Sequence, residues 1–397
     1  MRDLVILRGA PGSGKSTFLK ENNLNIFTLC IDNLRSLFET PIMDHEKGKL
    51  KINQNNDMQV WNLLFDLLEK RMQNGEFTII DACHSKATDF CKYYKLAEKY
   101  RYRLWCIDFS IVPIEICKKQ NRMRESFKIV PETIIDNIYS RFNTTKIPSK
   151  FITVYPHNWK QIISYEPLDV NQYKKLIFIG DIHGCFDPLN KYFLENPYDM
   201  DNLYIFMGDY FDRGIQNKEV CQWLLNHYSF SNIMLLTGNH EKWFINYAEE
   251  EYKEDIKHIS TKSNDNYIFK CKSKEFLLNT VPELENFSKK DLRKLSRKFI
   301  QCAYLTFNNY KFFCSHAGLG FFPKVLKFIS TNEIIKGKKY EDDIDKWFEQ
   351  NNTDSSLYQI HGHRNFYNYD INQFKHSINL NEPVEFGENL RIIEISK

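Results

Sequence analysis

Short runs of apolar residues recur along the chain, and several of them end in polar residues. In the first 110 positions the runs are DLVIL, NIFTLCID, FTIID and RLWCIDF, with helical stretches between them. Runs that are continuous rather than alternating are typical of parallel strands covered on both faces. The first part of the chain is therefore predicted to be an α/β domain, with a parallel sheet and flanking helices.

The pattern changes near residue 165. The stretch TKIPSKFITVYPHNWKQIISYEPLD is punctuated by proline and lacks a helical period, which is typical of a boundary between domains. Beyond it, apolar strands deliver polar residues at their carboxyl ends, where open α/β sheets bind their ligands. We therefore predict domains at 1–165 and 166–397, the second also α/β, with a largely helical insertion at about 242–300.

Composition limits the possible classes of protein. The chain has 397 residues, 42% of them hydrophobic, which is enough for a sizeable core and two or three domains. No apolar run approaches the ~18 residues of a membrane span, so we expect a cytoplasmic protein with no membrane partner. Ten scattered cysteines without a C-x-x-C pair favour reduced thiols. The net charge of +3 is too small to indicate a nucleic-acid partner.

The strongest local motif is LRGAPGSGKSTF, which follows the first predicted strand. It matches the phosphate loop G-x-x-x-x-G-K-[ST], whose glycines let backbone N–H groups wrap a phosphate. Lys15 can reach the β- and γ-phosphates, and the Ser16 hydroxyl can ligate magnesium. We therefore predict binding of ATP, or another nucleoside triphosphate, with Mg²⁺. The predicted contacts are Gly9, Gly12, Ser13, Gly14, Lys15, Ser16 and Thr17.

Asp32 and Arg35 bear on whether the γ-phosphate goes to water or to an acceptor. A carboxylate at the end of the second strand can take the proton of an attacking hydroxyl, and an arginine one turn later can hold an acceptor phosphate. This pair favours a kinase, although Asp32 alone can equally be a helix N-cap. In the basic segment NRMRES, Arg124 is the candidate catalytic lid arginine and Arg122 a candidate nucleotide contact.

Residues 1 to about 145 resemble the kinase domain of phage and bacterial polynucleotide 5′-kinases. The resemblance lies in GAPGSGKST, IDNLRSLF, IIDACH and RMRESFKIVPETIIDNIYSRF. It implies that Asp32 is the general base toward the 5′-hydroxyl and that Arg35 contacts the neighbouring phosphate. Asp81 takes the family's acidic position near the acceptor, but the following residues, 82–84, read Ala-Cys-His where the family often has Thr-Asn.

In the second half, five motifs rich in oxygen and imidazole ligands follow apolar strands: GDIHG, GDYFDRG, GNHE, HAG and GH. Such ligands suit a pair of hard-to-borderline divalent ions rather than a thiolate site. Two ions roughly 3.5–4 Å apart can activate water and stabilise the attacking and leaving oxygens of a phosphoryl displacement. The candidate ligands are Asp181, His183, Asp209, Asn239, His316 and His363.

In this order, over residues 174–397, the five motifs resemble the calcineurin-like binuclear metallophosphoesterases. The resemblance implies an α/β domain with a β-sandwich core and flanking helices. It also implies two divalent ions, with manganese expected, that are bridged by Asp209. The family's Gly-His places the last ligand at His363 rather than at His361.

The same resemblance gives roles to three residues that are not ligands. Arg213 is implied to grip the substrate phosphate. His240, oriented by Asp212, is implied to protonate the leaving oxygen, which needs an imidazole kept cationic by a neighbouring carboxylate. Asn381 stands at a position often occupied by Asp, so any role of that carboxylate is weakened in this chain.

The order of kinase and then metallophosphatase resembles the polynucleotide kinase-phosphatases of RNA repair. It implies an enzyme that phosphorylates 5′-hydroxyl ends and removes 3′-phosphate or 2′,3′-cyclic phosphate from RNA or DNA ends. The chain contains no K-x-D-G nucleophile, so we expect a separate RNA ligase. Two alternatives stay open: a small-molecule kinase fused to a phosphatase of phosphoproteins or dinucleoside polyphosphates, and a nucleotide-binding module with degenerate sites. A homo-oligomer is compatible with the sequence.

Overall fold

The structure is a computed structural model that describes residues 2–45, 48–249, 273–337, 344–364 and 375–397. The chain divides into two compact units. Unit 1 comprises Met1–Tyr165 with Val325–Thr331, and unit 2 comprises Glu166–Lys324 with Asn332–Lys397. Of the predicted helical insertion, residues 250–272 lie outside the described residues.

Unit 1 is built on a five-stranded sheet in which all neighbouring strands are parallel. Its strands are β1 (Asp3–Arg8), β2 (Thr28–Cys30), β5 (Thr78–Asp81), β6 (Arg103–Asp108) and β7 (Phe151–Val154), with a hairpin of β3 (Ile42–Asp44) and β4 (Lys49–Lys51) outside it. The sheet order is β2-β5-β1-β6-β7. All six residues of the central β1 are buried, as its continuous apolar run predicts.

Helices cover both faces of this sheet. Leu4 and Ile6 of β1 pack in one core with the apolar side of helix α3 (Asp57–Asn74), while Val5 and Leu7 pack in a second core on the opposite face. The predicted parallel sheet with flanking helices is thus confirmed. The helices are α1 (Lys15–Glu21), α2 (Ile31–Phe38), α3 (Asp57–Asn74), α4 (Ala87–Cys91), α5 (Tyr94–Tyr100), α6 (Ile114–Arg122), α7 (Glu132–Thr144) and α8 (Lys160–Ile163).

Unit 2 contains two five-stranded sheets of mixed direction. The first has the order β12-β11-β10-β9-β17 and the second β16-β15-β14-β13-β8. The strands are β8 (Leu168–Asp169), β9 (Lys175–Ile179), β10 (Asn202–Phe206), β11 (Ile233–Leu236), β12 (Phe299–Ile300), β13 (Cys302–Phe307), β14 (Tyr310–Ser315), β15 (Leu357–His361), β16 (Ser377–Asn379) and β17 (Ile392–Ser396).

The two sheets share one apolar core, in which Phe178 of the first lies with Phe312 of the second. The other face of the first sheet, including Phe206, packs in a separate core with helices, which confirms the predicted α/β class. The helices are α9 (Phe186–Glu195), α10 (Asn217–His227), α11 (Glu241–Ala248), α12 (Val281–Leu284), α13 (Lys289–Ser296), α14 (Thr331–Lys336) and α15 (Ile344–Asn351), with a π-helical turn at Phe276–Thr280. Throughout the described ranges, every helix is too short or too polar to cross a bilayer.

Candidate functional sites

The predicted phosphate loop connects β1 to the first residue of α1. Gly12 and Gly14 have φ angles of 80° and 91°, a conformation that glycine adopts without strain. A Cβ on Gly12 would also lie 2.1 Å from the carbonyl oxygen of Cys117. The Nζ atom of Lys15, the first residue of α1, donates to the carbonyl oxygen of Gly9 at 2.8 Å. The loop is therefore a tight turn at a helix N-terminus, the geometry that receives a phosphate.

A cleft of about 480 Å³ opens beside this loop. It is lined by loop residues 11–17 and by Asp32, Arg35, Asp81 and Arg124. In the part of the chain that the structure describes, two predicted nucleotide contacts, Gly9 and Arg122, are not among the residues that line this cleft. The other predicted site residues of this unit do line the cleft: Gly12, Ser13, Gly14, Lys15, Ser16, Thr17, Asp32, Arg35 and Arg124.

The two candidate lid arginines differ in their surroundings. Arg122 forms an ion pair with Glu132 at 2.7 Å, and 66% of its side chain is exposed. Arg124 lines the cleft and its positive charge acts on the buried Asp81. Arg141 of α7, which sequence reasoning missed, lines the same cleft. No motif marks Arg141, because only the packing of α7 brings it to the loop.

Arg35 is held between two carboxylates in the cleft. Its Nη1 lies 2.6 Å from Asp32 Oδ1, and its Nε and Nη2 lie 2.8 and 2.5 Å from Asp57 Oδ1. Burial lowers the pKa of Arg35, but the two carboxylates more than offset this and raise it. Asp32 occupies the first turn of α2, and Cys30, not Asp32, holds the N-cap position. The carboxylate of Asp32 is thus paired with an arginine that lies one turn later.

Asp81 is the last residue of β5, and His84 lies three residues later in a different environment. Burial raises the pKa of Asp81, and the nearby charge of Lys15 opposes this rise. His84 is fully enclosed, with Nδ1 2.6 Å from the carbonyl oxygen of Leu7 and Nε2 2.9 Å from the hydroxyl of Tyr93. Burial lowers the pKa of His84 to about 4. Its imidazole is therefore a neutral core group that links β1 to Tyr93, the residue just before α5.

In unit 2, parallel strands bring the predicted ligands to one edge of each sheet. Asp181, Asp209 and Asn239 follow β9, β10 and β11, which are neighbours in the first sheet. His316 and His363 follow β14 and β15, which are neighbours in the second sheet. Carboxyl ends of parallel strands meet at the same edge, so motifs far apart in sequence converge.

The donor atoms form two clusters that share Asp209. His183, Asp209 and His240 make up one cluster and Asp209, His316 and His363 the other, with all donor atoms of a cluster within 4.8 Å of one another. Asp209 Oδ2 lies 3.7 Å from His183 Nε2 and 3.2 Å from His316 Nε2. His316 Nε2 is also 3.2 Å from Asn239 Oδ1. Asp209 thus has the position expected of a bridging carboxylate.

Two buried polar atoms at this site, Asp181 Oδ1 and His183 Nδ1, have no hydrogen-bond partner among the described residues. Burying an unpaired polar atom is costly, so such atoms point to a missing partner. Burial lowers the pKa of His183 to about 4, which keeps its imidazole in the neutral form that binds metals. The donor set therefore fits divalent cations, which when bound would supply Lewis-acid stabilisation of a phosphoryl group.

His240 is paired with Asp212. Its Nδ1 lies 2.8 Å from Asp212 Oδ2, and its Nε2 lies 4.0 Å from Asp209 Oδ2. Burial lowers the pKa of His240, but the hydrogen bond to Asp212 and the charge of Asp209 outweigh it, so the net shift is upward. The imidazole can therefore carry a proton toward a leaving group. Its Nε2 also belongs to the first donor cluster, so a ligand role is compatible with the same geometry.

Arg213 forms an ion pair with Glu385, a residue that sequence reasoning missed. Its Nη1 lies 2.7 Å from Oε1 of Glu385, a carboxylate whose side chain is only 6% exposed. The second oxygen, Oε2, is buried and has no hydrogen-bond partner in the described ranges of the chain. No sequence motif surrounds Glu385. Its pairing with Arg213 arises because the segment after β16 passes close to the loop of Arg213.

Two further buried residues hold the loops of the site. Glu241 accepts hydrogen bonds from the backbone N–H groups of Asp209 at 2.8 Å, Gly238 at 2.6 Å and Tyr210 at 2.9 Å. Asn217 accepts from the backbone N–H of Asp212 at 2.8 Å. Glu241 belongs to the GNHE motif, so a signal for it existed, whereas Asn217 has no motif.

The backbone of the site has uncommon conformations at three candidate ligands and at Asp212 and Arg213. Positive φ angles occur at His183 (47°), Asp209 (49°), Asp212 (81°), Arg213 (70°) and His363 (64°). Such conformations are uncommon outside glycine and concentrate at functional sites.

The two histidines of the HGH stretch, His361 and His363, have different surroundings. His361 is buried with Nε2 2.8 Å from Asp345 Oδ1, while His363 lies in the second donor cluster. The backbone N–H of His363 donates to Asp181 Oδ2 at 2.9 Å.

Asn381 is buried, and its backbone N–H donates to Asn379 Oδ1 at 3.0 Å.

Comparison with protein families gives two matches. A model described as calcineurin-like phosphoesterase matches residues 174–392. A model described as AAA domain matches residues 4–144. The predicted order, a kinase-like phosphate-loop domain followed by a metallophosphoesterase domain, is confirmed.

Curated relatives match shorter stretches. A serine/threonine-protein phosphatase of Caenorhabditis elegans is 33% identical over 129 residues, which are 32% of this chain and 28% of that protein. Serine/threonine-protein phosphatase PP1-delta of the same organism is 38% identical over 81 residues, 20% of this chain and 27% of that protein. The chain thus spans about a quarter of the length of these relatives. A solved cold-active protein-tyrosine phosphatase of a Shewanella species is 13% identical with a TM-score of 0.35, covering 60% of this chain and 80% of that chain.

Proposed function

The chain belongs to the calcineurin-like phosphoesterase family, and we propose that it repairs the ends of broken nucleic acids with two activities. Unit 1 phosphorylates a 5′-hydroxyl end from ATP with Mg²⁺. Unit 2 removes a 3′-phosphate or a 2′,3′-cyclic phosphate from an RNA or DNA end with two divalent ions, expected to be manganese. A separate RNA ligase, expected to act in the cytoplasm with this enzyme, then joins the healed ends.

One observation carries this proposal: the Asp32–Arg35–Asp57 array shares a cleft with the phosphate loop. An enzyme that transfers the γ-phosphate to water needs no such acceptor site. Arg35, oriented by two carboxylates, is suited to hold the phosphate next to a 5′-hydroxyl. Asp32, 40% exposed on its side chain, can reach the proton of that hydroxyl.

In the proposed kinase step, these groups move one proton and one phosphoryl group. The 5′-oxygen of the acceptor attacks the γ-phosphorus, its proton passes to Asp32, and the bond to the bridging oxygen of ADP breaks. Lys15 neutralises the charge that develops on the phosphates, and Arg124 adds a second cation from the lid.

In unit 2, this chain's residues position the phosphate and the leaving oxygen. Arg213 exchanges its contact with Glu385 for the substrate phosphate. As water attacks the phosphorus and the bond from phosphorus to the ribose oxygen breaks, His240, charged through its bond to Asp212, gives its proton to that oxygen. Glu241 and Asn217 keep Asp209 and Asp212 at fixed positions during this step.

A phosphoprotein substrate for unit 2 is the competing proposal. It is favoured by the names of the curated relatives, which are serine/threonine-protein phosphatases. A phosphoprotein substrate for unit 2 gives no link between its reaction and the acceptor array of unit 1. Because a nucleic-acid substrate links the two reactions, we prefer it. A phosphoserine peptide serves as the discriminating substrate for this alternative.

The test uses one oligoribonucleotide with a 5′-hydroxyl and a 3′-phosphate, incubated with ATP, magnesium and manganese. The proposal predicts a product with a 5′-phosphate and a 3′-hydroxyl, identified by mass spectrometry. An unchanged oligonucleotide, together with rapid hydrolysis of the phosphoserine peptide, would overturn the proposal in favour of the alternative. The same assay with the matching oligodeoxyribonucleotide separates RNA from DNA preference.

A further inference from the structure

We propose that Phe386 and Ile215 form a nucleoside subsite in unit 2, where the base of the nucleotide that carries the 3′-phosphate stacks on the Phe386 ring. The inference rests on the proposed function and deepens it. It names a group besides the phosphate that the phosphatase site recognises.

The exposure of these two side chains is the first observation. Ile215 is 88% exposed and Phe386 is 85% exposed, the two highest values among the large apolar side chains of the described residues. Single exposed apolar side chains are normal on protein surfaces. Here, however, both exposed side chains lie close in sequence to the Arg213–Glu385 pair, which suggests that they bind a ligand.

Their position is the second observation. Phe386 directly follows Glu385, and Ile215 comes two residues after Arg213. The 2.7 Å contact between Arg213 and Glu385 joins the two loops, so each loop carries an exposed apolar residue close in sequence to the pair that holds the arginine we place on the substrate phosphate. A ligand whose phosphate reaches Arg213 would have its next group beside them.

Phe386 is also carried by an anchored stretch of backbone. It ends a 3₁₀ turn, Val384–Phe386, in which Val384 is 4% exposed and the side chain of Glu385 is 6% exposed. Gly387 then has a φ of 94°, which turns the chain away. With its two predecessors anchored inward, Phe386 is presented outward before a ligand arrives, which limits the ordering cost of binding.

A nucleobase is the ligand chemistry that fits. In a 3′-terminal nucleotide, one sugar separates the phosphate from an aromatic base. Stacking of a base on an aromatic ring tolerates any base, as an enzyme acting on ends of any sequence requires. Ile215 supplies an apolar edge against which the sugar or base can lie. A phosphoserine side chain carries no ring at this distance.

The test is a double-mutant cycle between the protein and the substrate. The substrates are a 3′-phosphorylated oligoribonucleotide and the same oligomer with an abasic sugar at its 3′-terminal position. In the wild type, removal of the base should raise KM roughly 5- to 100-fold with little change in kcat. Phe386→Ala should raise KM for the complete oligomer by a similar factor and leave the abasic substrate unaffected. Phe386→Trp should keep the wild-type KM.

Leu194→Ala is the matched control, because Leu194 is 74% exposed near the end of α9 and takes no part in either site. It should leave KM unchanged for both substrates. An unchanged KM in Phe386→Ala, or an equal rise for both substrates, overturns the subsite while phosphate release still upholds the proposed function. If the wild type releases no phosphate from either oligomer yet dephosphorylates the phosphoserine peptide, the proposed function itself fails.

Discussion

The buried carboxylate of Glu241 accepts a hydrogen bond from the backbone N–H of Asp209 at 2.8 Å. Asp209 is the carboxylate shared by both donor clusters, and its φ of 49° is an uncommon conformation. Glu241 also binds the backbone N–H of Gly238. One side chain thus stabilises two loops that carry the candidate ligands.

Glu241→Gln should therefore weaken the site. A glutamine side chain cannot accept through both of its terminal atoms, so at least one backbone N–H would lose its partner, at a cost of about 1–3 kcal/mol. We expect a lower midpoint of thermal unfolding and a lower manganese content after gel filtration, measured by calorimetry and by elemental analysis. Glu249→Gln, at an exposed position just after α11, is the control. Equal manganese content and midpoint in both variants would contradict this role for Glu241.

Asp32→Asn and Asp57→Asn should affect the kinase in different ways. If Asp32 takes the proton of the 5′-hydroxyl, Asp32→Asn should lower kcat by about 10²–10⁴ with ATP affinity nearly unchanged. Asp57→Asn removes a charge that orients Arg35, so it should act mainly on KM for the oligonucleotide. Steady-state kinetics with a 5′-hydroxyl oligomer separates the two effects. Asp66→Asn, on the exposed side of the same helix α3, should behave as wild type, and full turnover in Asp32→Asn would exclude the base role.

His84 should make stability depend on pH. Its pKa is about 4 in the folded protein against an ordinary value of 6.5. The unfolded chain therefore binds a proton below pH 6.5 that the folded chain does not bind until about pH 4. The free energy of unfolding should fall as the pH drops through this window, by up to about 3 kcal/mol from this residue.

Urea unfolding at several values between pH 7 and pH 4 measures this effect. The wild type should lose more stability over the window than His84→Gln, while the exposed control His157→Gln should follow the wild type. Parallel losses in the wild type and His84→Gln would show that the His84 imidazole is not the neutral group described above.

His240→Ala should discriminate between leaving groups. If His240 supplies the proton, the variant should lose far more activity on ribose 3′-phosphates than on an aryl phosphate, whose phenolate departs without protonation. The manganese content should stay equal to that of the wild type. A variant that loses manganese, or that loses activity equally on both substrates, would identify His240 as a ligand or a phosphate contact.

Much of both sites could be predicted because strand ends carry the motifs. Asp181, Asp209 and His316 each follow an apolar run, and parallel strands bring such positions to one edge. The spacing of Asp32 and Arg35 likewise predicts a contact within one helical turn. These inferences need only local periodicity and the direction of the strands.

The residues that were missed depend on tertiary packing instead. Asp57 and Glu385 pair with arginines 22 and 172 positions away, which no local pattern encodes. Asn217 binds a backbone N–H that becomes available only once the loop of Asp212 has formed. The segment NRMRES suggested two lid arginines, and only the packing of α6 against α7 directs Arg122 toward Glu132 rather than into the cleft.

The central claim is that one chain heals both ends through two separate sites. It is tested most directly with Lys15→Ala and Asp209→Ala on the oligoribonucleotide that has a 5′-hydroxyl and a 3′-phosphate. Lys15→Ala should abolish 5′-phosphorylation and spare removal of the 3′-phosphate, and Asp209→Ala should do the reverse. Loss of both activities in either variant, with folding intact by circular dichroism, would contradict the account.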